Sequence, residues 1–245
     1  MKNLASLDYW TKAHGKINIE LNPNDIIKKW ISNNIDFTNI KTVFEIGCYP
    51  GRYLTIFGDQ GVELNGVDYI KDVIKLPQIF ALKKYKVGQF YNSDFFKFEP
   101  NVKYDCVMSL GFIEHFDNWE KTMINHFDFI NDKGYLIIEV PNFKGVFQRI
   151  PRILFDYENY KRHNLNSMCL KEWNRILIQN DFEIIYSGYF GGYKLWFEIE
   201  QKKRINKLFK IYIIKTLVLF RSVFFKNKVE SRYFSCAIGI IARKK

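Results

Sequence analysis

Two carboxylates and two glycines carry the first chemical information in this chain. Glu45 stands two residues before Gly47, Gly51 closes the turn Gly47-Cys48-Tyr49-Pro50-Gly51, and Asp68 ends the run Val62-Glu63-Leu64-Asn65-Gly66-Val67-Asp68. Glycines bracketing a turn let the backbone approach a ligand that a side chain would block. A carboxylate about twenty residues further on is the usual acceptor for a ribose hydroxyl. Glu45 then selects among nucleoside ligands. Its charge would repel a pyrophosphate, and it would attract the ammonium and positive sulfur of a sulfonium amino acid.

These residues need a scaffold that puts turns at one edge of a sheet. Thr42-Val43-Phe44 reads as a buried strand stopped by Gly47, with helical character from Arg52. A second strand ends at Asp68, and a helix over Asp72–Leu82 should be kinked or split by Pro77. Lys86–Tyr91 is a third strand. Tyr104–Leu110, apolar almost throughout, is a central fourth. A helix capped by Asp117 or Asn118 runs to Ile130, residues 131–134 end it, and Tyr135–Val140 is the fifth strand. Residues 141–166 form a long connection, followed by a helix over 168–180 and a strand over Phe182–Tyr189. Arg232–Ile241 reads as the last strand. Upstream, Pro23-Asn24-Asp25 opens a helix to about Asn33.

The ordered set Glu45-Ile46-Gly47-Cys48-Tyr49-Pro50-Gly51, then Gly66-Val67-Asp68-Tyr69, resembles motifs I and II of class I S-adenosylmethionine-dependent methyltransferases. The family form is acid-x-Gly-x-Gly-x-Gly. Glu45, Gly47 and Gly51 match it, and Tyr49 replaces the middle glycine. The Tyr-Pro variant resembles enzymes of bacterial surface-polysaccharide (capsule or lipopolysaccharide) gene clusters. The resemblance, which runs over residues 40 to 190, implies a Rossmann-like α/β fold. Its seven-stranded, mostly parallel sheet would carry helices on both faces and an antiparallel last strand beside the fifth. It implies S-adenosyl-L-methionine as methyl donor and S-adenosyl-L-homocysteine as product, held by Glu45, Gly47, Cys48, Gly51, Asp68, Tyr69 and the backbone near Leu110. Asp94 would accept from the adenine amino group and Phe95 would pack on the ring; as a bare sequence feature Asp94 could instead be a turn carboxylate.

Methyl transfer from a sulfonium is an in-line displacement, so the protein mainly aligns two substrates and excludes water. A hydroxyl acceptor also needs a base. His115 follows the fourth strand, where open α/β sheets bind ligands, and His163 rides on the long connection. Either is a candidate, and either could be an ordinary packing residue. Arg149, Arg152 and Arg162 could grip a phosphate or carboxylate on the acceptor, or line a solvated loop. Tyr9 and Trp10, in an N-terminal arm over residues 1–22, either lid the site or pack on the body. The sequence shows no carboxylate cluster with metal-ligand spacing. The expected acceptor is a small molecule, a saccharide or nucleotide-linked precursor of a surface glycan methylated on oxygen, with a quinone-type or lipid-linked acceptor as alternative.

The 245 residues are 47% hydrophobic and 18% aromatic, enough for one globular domain over 1–245, with insertions at 141–166 and 201–230. The net charge of +11 is concentrated: residues 201–245 hold 13 Lys and Arg against one acid, Glu230, leaving the body near neutral. A nucleic-acid partner is therefore not expected. Over 201–228, Ile205, Phe209, Tyr212, Phe220 and Val223 gather on one helical side and Arg204, Lys207, Lys210 and Arg221 on the other. Such a helix packs on the body, meets a second copy, or lies on an anionic membrane face. Four scattered cysteines and no signal-like apolar start suggest a reduced, cytoplasmic protein, peripheral at most to the inner membrane face. The rival classes are a nicotinamide-dependent oxidoreductase or epimerase, which lacks its fingerprint here, and a non-catalytic relative of the same fold.

Overall fold

The computed structural model describes residues 2–13, 17–194, 211, 212, 215, 216, 219 and 230–245. Strands β1 (Thr42–Ile46), β2 (Glu63–Asp68), β3 (Val87–Asn92), β4 (Tyr104–Leu110), β5 (Ile130–Pro141), β6 (Phe182–Phe190) and β7 (Ala237–Lys244) form one sheet. Their order is β3-β2-β1-β4-β5-β7-β6. The first five strands pair in parallel, and β7 enters antiparallel between β5 and β6, as the resemblance implies.

Both faces of the sheet are covered, which is why the central strands read as largely apolar runs. Alternate residues go to opposite sides. Phe44, Val107, Leu136 and Ile138 join one apolar cluster with Trp173, whereas Val43, Cys106, Met108 and Ile137 join another with Trp30 and Phe57. The first layer holds α5 (Trp119–Asn125) and α8 (Leu170–Gln179), and the second α2 (Ile26–Asn34), α3 (Thr55–Gly58) and α4 (Leu76–Leu82). Asp25 caps α2, accepting from Ile27 N and Lys28 N.

Several boundaries differ from the sequence expectation for local reasons. Residues 131–134 belong to β5 and do not end a helix: Lys133 has φ +62, and the β4–β5 register jumps from Tyr104↔Ile130 to Cys106↔Tyr135, so the turn-like residues form a bulge inside the strand. The preceding helix stops at Asn125, with Asn118 as its cap, and a 3-10 turn over 126–129 feeds the strand. Pro77 does split its segment. A 3-10 turn over 71–75 precedes α4, where proline sits in the first turn and lacks only an N–H that would be unpaired there. The last strand begins at Ala237, five residues later than its β-rich pattern suggests, because 232–234 turn before pairing.

The connection 141–166 carries α6 (Val146–Phe155) and α7 (Tyr157–Lys161). The arm carries α1 (Leu7–Ala13). The amphipathic pattern read over 201–228 lies outside the described residues apart from the five named above. Among the described residues, no helix is long and apolar enough to cross a membrane.

Candidate functional site

The turn after β1 is fixed from β2. Gly47 N and Cys48 N both donate to Val67 O (2.9 and 3.3 Å), and Tyr49 N donates to Asp68 Oδ2 at 2.9 Å. Asp68 Oδ1 accepts from Ile70 N at 2.7 Å. The amides of residues 47–49 are spent on β2, and only a 3-10 turn over 52–54 and the one-turn α3 follow. No row of free amides remains in this turn to cradle a pyrophosphate, which agrees with the charge of Glu45.

Gly47 and Gly51 are required by the backbone. They have φ +74 and +90, and a Cβ on Gly47 would sit 2.7 Å from Phe112 Cδ2. Tyr49 needs no such freedom, since its φ is not positive; the family's middle glycine is dispensable in this turn, whose Tyr49–Pro50 bond is cis.

A cavity of about 500 Å³ opens at the C-terminal edge of β1, β2 and β4. Glu45, Gly47, Cys48, Gly51, Asp68, Tyr69, Asp94, Phe95 and Leu110 all line it, together with Trp10 and His115. Glu45 is 4% exposed, and its Oε2 meets no hydrogen-bond donor among the described residues. Burial, then the Asp68 charge, push its carboxyl well above the usual carboxylate range, while Arg52 pulls the other way. A buried carboxylate oxygen without a donor, at the wall of a cavity, is what a ligand's cationic group would satisfy. Burial likewise raises Asp68 to about 6 against the pull of its backbone amides. Each of its oxygens keeps lone pairs for ribose hydroxyls. Asp94 serves both readings, since it accepts from Phe96 N at 3.1 Å and lines the cavity. Phe95 is buried with its ring against Phe112 and His126, so it offers the cavity an edge of the core. Cys48 is buried and its thiol is driven up by burial, which leaves it unreactive.

Beside the cavity, three segments far apart in sequence meet. Leu4 N donates to His115 O, and Asn3 bridges to Phe116, so the arm is tied to the 3-10 turn over 113–115 and α1 lies over the cavity. Trp10 meets the His115 ring at 4.8 Å, the His163 ring lies 4.6 Å from His115, and Arg162 stacks on Tyr9 at 3.8 Å. His115 Nδ1 contacts Arg162 O at 2.9 Å and His163 Nδ1 contacts Asn159 O at 2.7 Å. A carbonyl only accepts, so both imidazoles carry Nδ1–H and keep a lone pair on Nε2. Burial lowers His115 to about 4 and His163 well below its ordinary value, so both are neutral near pH 7. Behind them, Trp173 Nε1 donates to Ser167 O at 2.6 Å and pins the connecting loop to α8.

Tyr9, Trp10, His115, Arg162 and His163 are therefore neighbours. Of these, Trp10 and His115 line the cavity; Tyr9, Arg162 and His163 stand next to them outside the lining, and Arg149 and Arg152 are not in it either. Arg149 is exposed on α6, and Arg152 is fully buried, 3.3 Å from Asp156 and 3.7 Å from the Phe143 ring. Sequence reading missed Glu114, fully buried beside His115 with neither oxygen meeting a donor among the described residues, and Phe112, which fixes the need for Gly47. The adjacent acid in Glu114-His115 was the available signal for the first; the second had none.

Residues 24–187 match a family described as a methyltransferase domain. A ubiquinone biosynthesis O-methyltransferase of Rickettsia bellii is 28% identical over 138 residues, 54% of this chain and 57% of that protein. The Rickettsia felis protein of the same description is 25% identical over 54% and 56%. The chain thus spans just over half the length of these relatives. A SAM dependent methyltransferase from Archaeoglobus fulgidus shares the fold, with a TM-score of 0.54 at 20% identity over 89% of this chain and 93% of that one. The plantazolicin methyltransferase BpumL, solved with S-adenosylhomocysteine (SAH), does so with 0.54 at 13% over 89% and 81%. With the motifs, the sheet order and the donorless carboxylate at the cavity wall, the match over residues 24–187 settles the family: this chain belongs to the methyltransferase-domain family of class I S-adenosylmethionine-dependent enzymes.

Proposed function

We propose that the protein transfers a methyl group from S-adenosylmethionine to an oxygen of a small, hydroxylated aromatic acceptor of the quinone-precursor type. One observation carries this reading. The cavity is lined by an unsatisfied carboxylate, Glu45, and by the aromatic rings of Trp10, Phe112, Phe116 and His115. The donor, when bound, supplies an electrophilic methyl on a positive sulfur. Glu45 would hold its ammonium, Asp68 its ribose hydroxyls and Asp94 its adenine amino group. The aromatic wall suits a flat, largely apolar ring, and α1 over the cavity excludes water while the two substrates are aligned. The acceptor hydroxyl loses its proton at the His115–His163 end. The Rickettsia relatives are named for O-methylation in ubiquinone biosynthesis, which supports an aromatic acceptor.

A surface-glycan precursor is the second reading, favoured by Tyr9 and Trp10, whose rings could stack on a sugar, with Arg162 beside them. It is weakened because a diphosphate would want several guanidinium groups, and Arg149 and Arg152 stand away from the cavity. On either reading the basic 201–228 segment is our candidate for contact with an anionic membrane face or a second copy. The test is labelled methyl transfer from S-adenosylmethionine to a pool of ring-hydroxylated aromatics and, separately, to sugar nucleotides. Label in the first pool is expected. Label only in the second replaces the acceptor, and label in neither overturns the reading.

A further inference from the structure

We propose that Glu114, His115 and His163 form a binding site for a divalent transition-metal ion at the acceptor end of the cavity. One ligand-capable atom from each residue lies within 4.8 Å of the others. His115 Nε2 is 3.7 Å from Glu114 Oε1. Both imidazoles spend Nδ1–H on backbone carbonyls, Arg162 O and Asn159 O. That hydrogen bond fixes the tautomer and leaves Nε2 as the nitrogen with a lone pair to give, the usual second layer behind a metal-binding histidine. Glu114 has no exposed surface, and neither carboxylate oxygen meets a donor among the described residues. A ring nitrogen from each imidazole and a Glu114 oxygen thus gather, with no donor to either Glu114 oxygen among the described residues, and the Arg162 charge acts on both imidazoles. A cation there would satisfy the carboxylate.

The geometry is close to what an ion needs. Three atoms no more than 4.8 Å apart share a point within about 2.8 Å of each, against ligand distances of about 2.0–2.2 Å. The difference is within reach of side-chain rotation. The scaffold is already set, because Asn164 N donates to Glu114 O at 2.6 Å and Asn164 Nδ2 to Phe116 O at 3.0 Å, which locks the loop bearing His163 onto the turn bearing the other two. The cavity gives access. His115 and Gly111 both line it, and the missing side chain of Gly111 leaves open the space next to Glu114, where a Cβ would lie 3.7 Å from Oε1. His115 alone of the three lines the cavity, and three protein ligands with a fourth position left for substrate is the pattern of a catalytic metal site. Two imidazoles and one carboxylate suit zinc, iron(II), cobalt or manganese better than magnesium or calcium.

The consequence for chemistry rests on the proposed O-methyl transfer; the site itself does not. An ion there would take the acceptor oxygen as a further ligand and lower the pKa of its hydroxyl. The O–H bond breaks with its proton released to solvent, and the oxygen then forms its bond to the methyl as the carbon–sulfur bond breaks. The imidazoles would act as ligands and not as bases.

The test uses the full chain, free of any histidine tag and stripped with a chelator, titrated with Zn²⁺ by calorimetry and with Co²⁺ by visible absorption. One ion per chain, a Co²⁺ d–d spectrum that Zn²⁺ abolishes, and at least tenfold weaker binding in both E114Q and H163N are expected. Circular dichroism checks that both variants fold, and either one suffices if the other does not. Absence of stoichiometric binding, or binding unchanged in the folded variants, overturns the site. Metal binding without methyl transfer to any hydroxylated acceptor would sink the functional reading and leave the site. Undiminished methyl transfer by chelated, metal-free protein would overturn the ion's part in the chemistry and leave the functional reading.

Discussion

Replacing Glu45 by glutamine should weaken cofactor binding and, in the absence of ligand, leave the fold as stable or more so. Glutamine keeps the volume and loses the charge. Glu45 is 4% exposed with one oxygen lacking a donor among the described residues, so ionising it in the free protein is unfavourable, and removing that charge relieves strain in the folded state. With ligand bound, the same carboxylate faces an ammonium in a desolvated cavity. Losing one partner of such a pair costs about 2–3 kcal/mol, or roughly 30–150-fold in Kd. S-adenosylhomocysteine, which keeps the ammonium and lacks the sulfonium, is the ligand to titrate by calorimetry, with thermal melting of the free protein alongside. A second signature follows from the raised pKa of Glu45. A cation favours the ionised form, so binding expels a proton in the window between the free and bound pKa values, and affinity rises with pH there. E45Q should abolish that proton release. If E45Q lowers the melting temperature by several degrees while Kd stays at the wild-type value, Glu45 is a structural residue and the reasoning fails.

Gly47→Ala places a non-glycine residue at φ +74 and a Cβ 2.7 Å from the Phe112 ring. The backbone strain alone is worth about 1–2 kcal/mol, and moving Phe112 shifts the cavity wall. Urea denaturation should show a loss of at least that size and calorimetry a weaker SAH complex; a neutral substitution would mean the turn is looser than described. His126 gives a pH test away from the cavity's polar groups. It is fully buried between Thr122 O (2.7 Å) and Ser109 Oγ (2.9 Å), and burial holds it at about 4. Because its folded pKa is below the unfolded value, the unfolded chain takes up the proton first on acidification. Stability from this group is full above about pH 6.5 and falls by about 3 kcal/mol by pH 4. Urea denaturation of wild type and H126Q across that range should differ in slope by this amount, and parallel curves would show that His126 is not held neutral.

The local pattern carried the sheet and one half of the cavity. β1 and β4 are largely apolar on both faces because helices cover both sides, and such runs are readable without tertiary knowledge. The nine cofactor candidates, Glu45 through Leu110, come from four strand ends that parallel pairing must place side by side, so their convergence on the cavity follows from topology. Where two reading rules competed, local pattern misled. Asn131-Asp132-Lys133-Gly134 has turn chemistry, yet neighbouring strands absorb it as a bulge.

Sequence by itself determined the alternation of strands and helices, the glycines that the turn after β1 demands, and a carboxylate unsuited to phosphate. Those properties are local or are fixed by the order of elements. Only the tertiary structure decided that the arm over 2–13, the turn over 113–115 and the loop near 162 meet, because hydrogen bonds such as Leu4 N to His115 O and His115 Nδ1 to Arg162 O span separations with no periodic trace. It also separated the three arginines, burying Arg152 on Asp156, exposing Arg149 and stacking Arg162 on Tyr9. The grouping of Glu114 and His115 with His163 belongs to the same class of fact. A single acid–histidine pair acquires its third partner from a loop some fifty residues away, and only packing can bring it there.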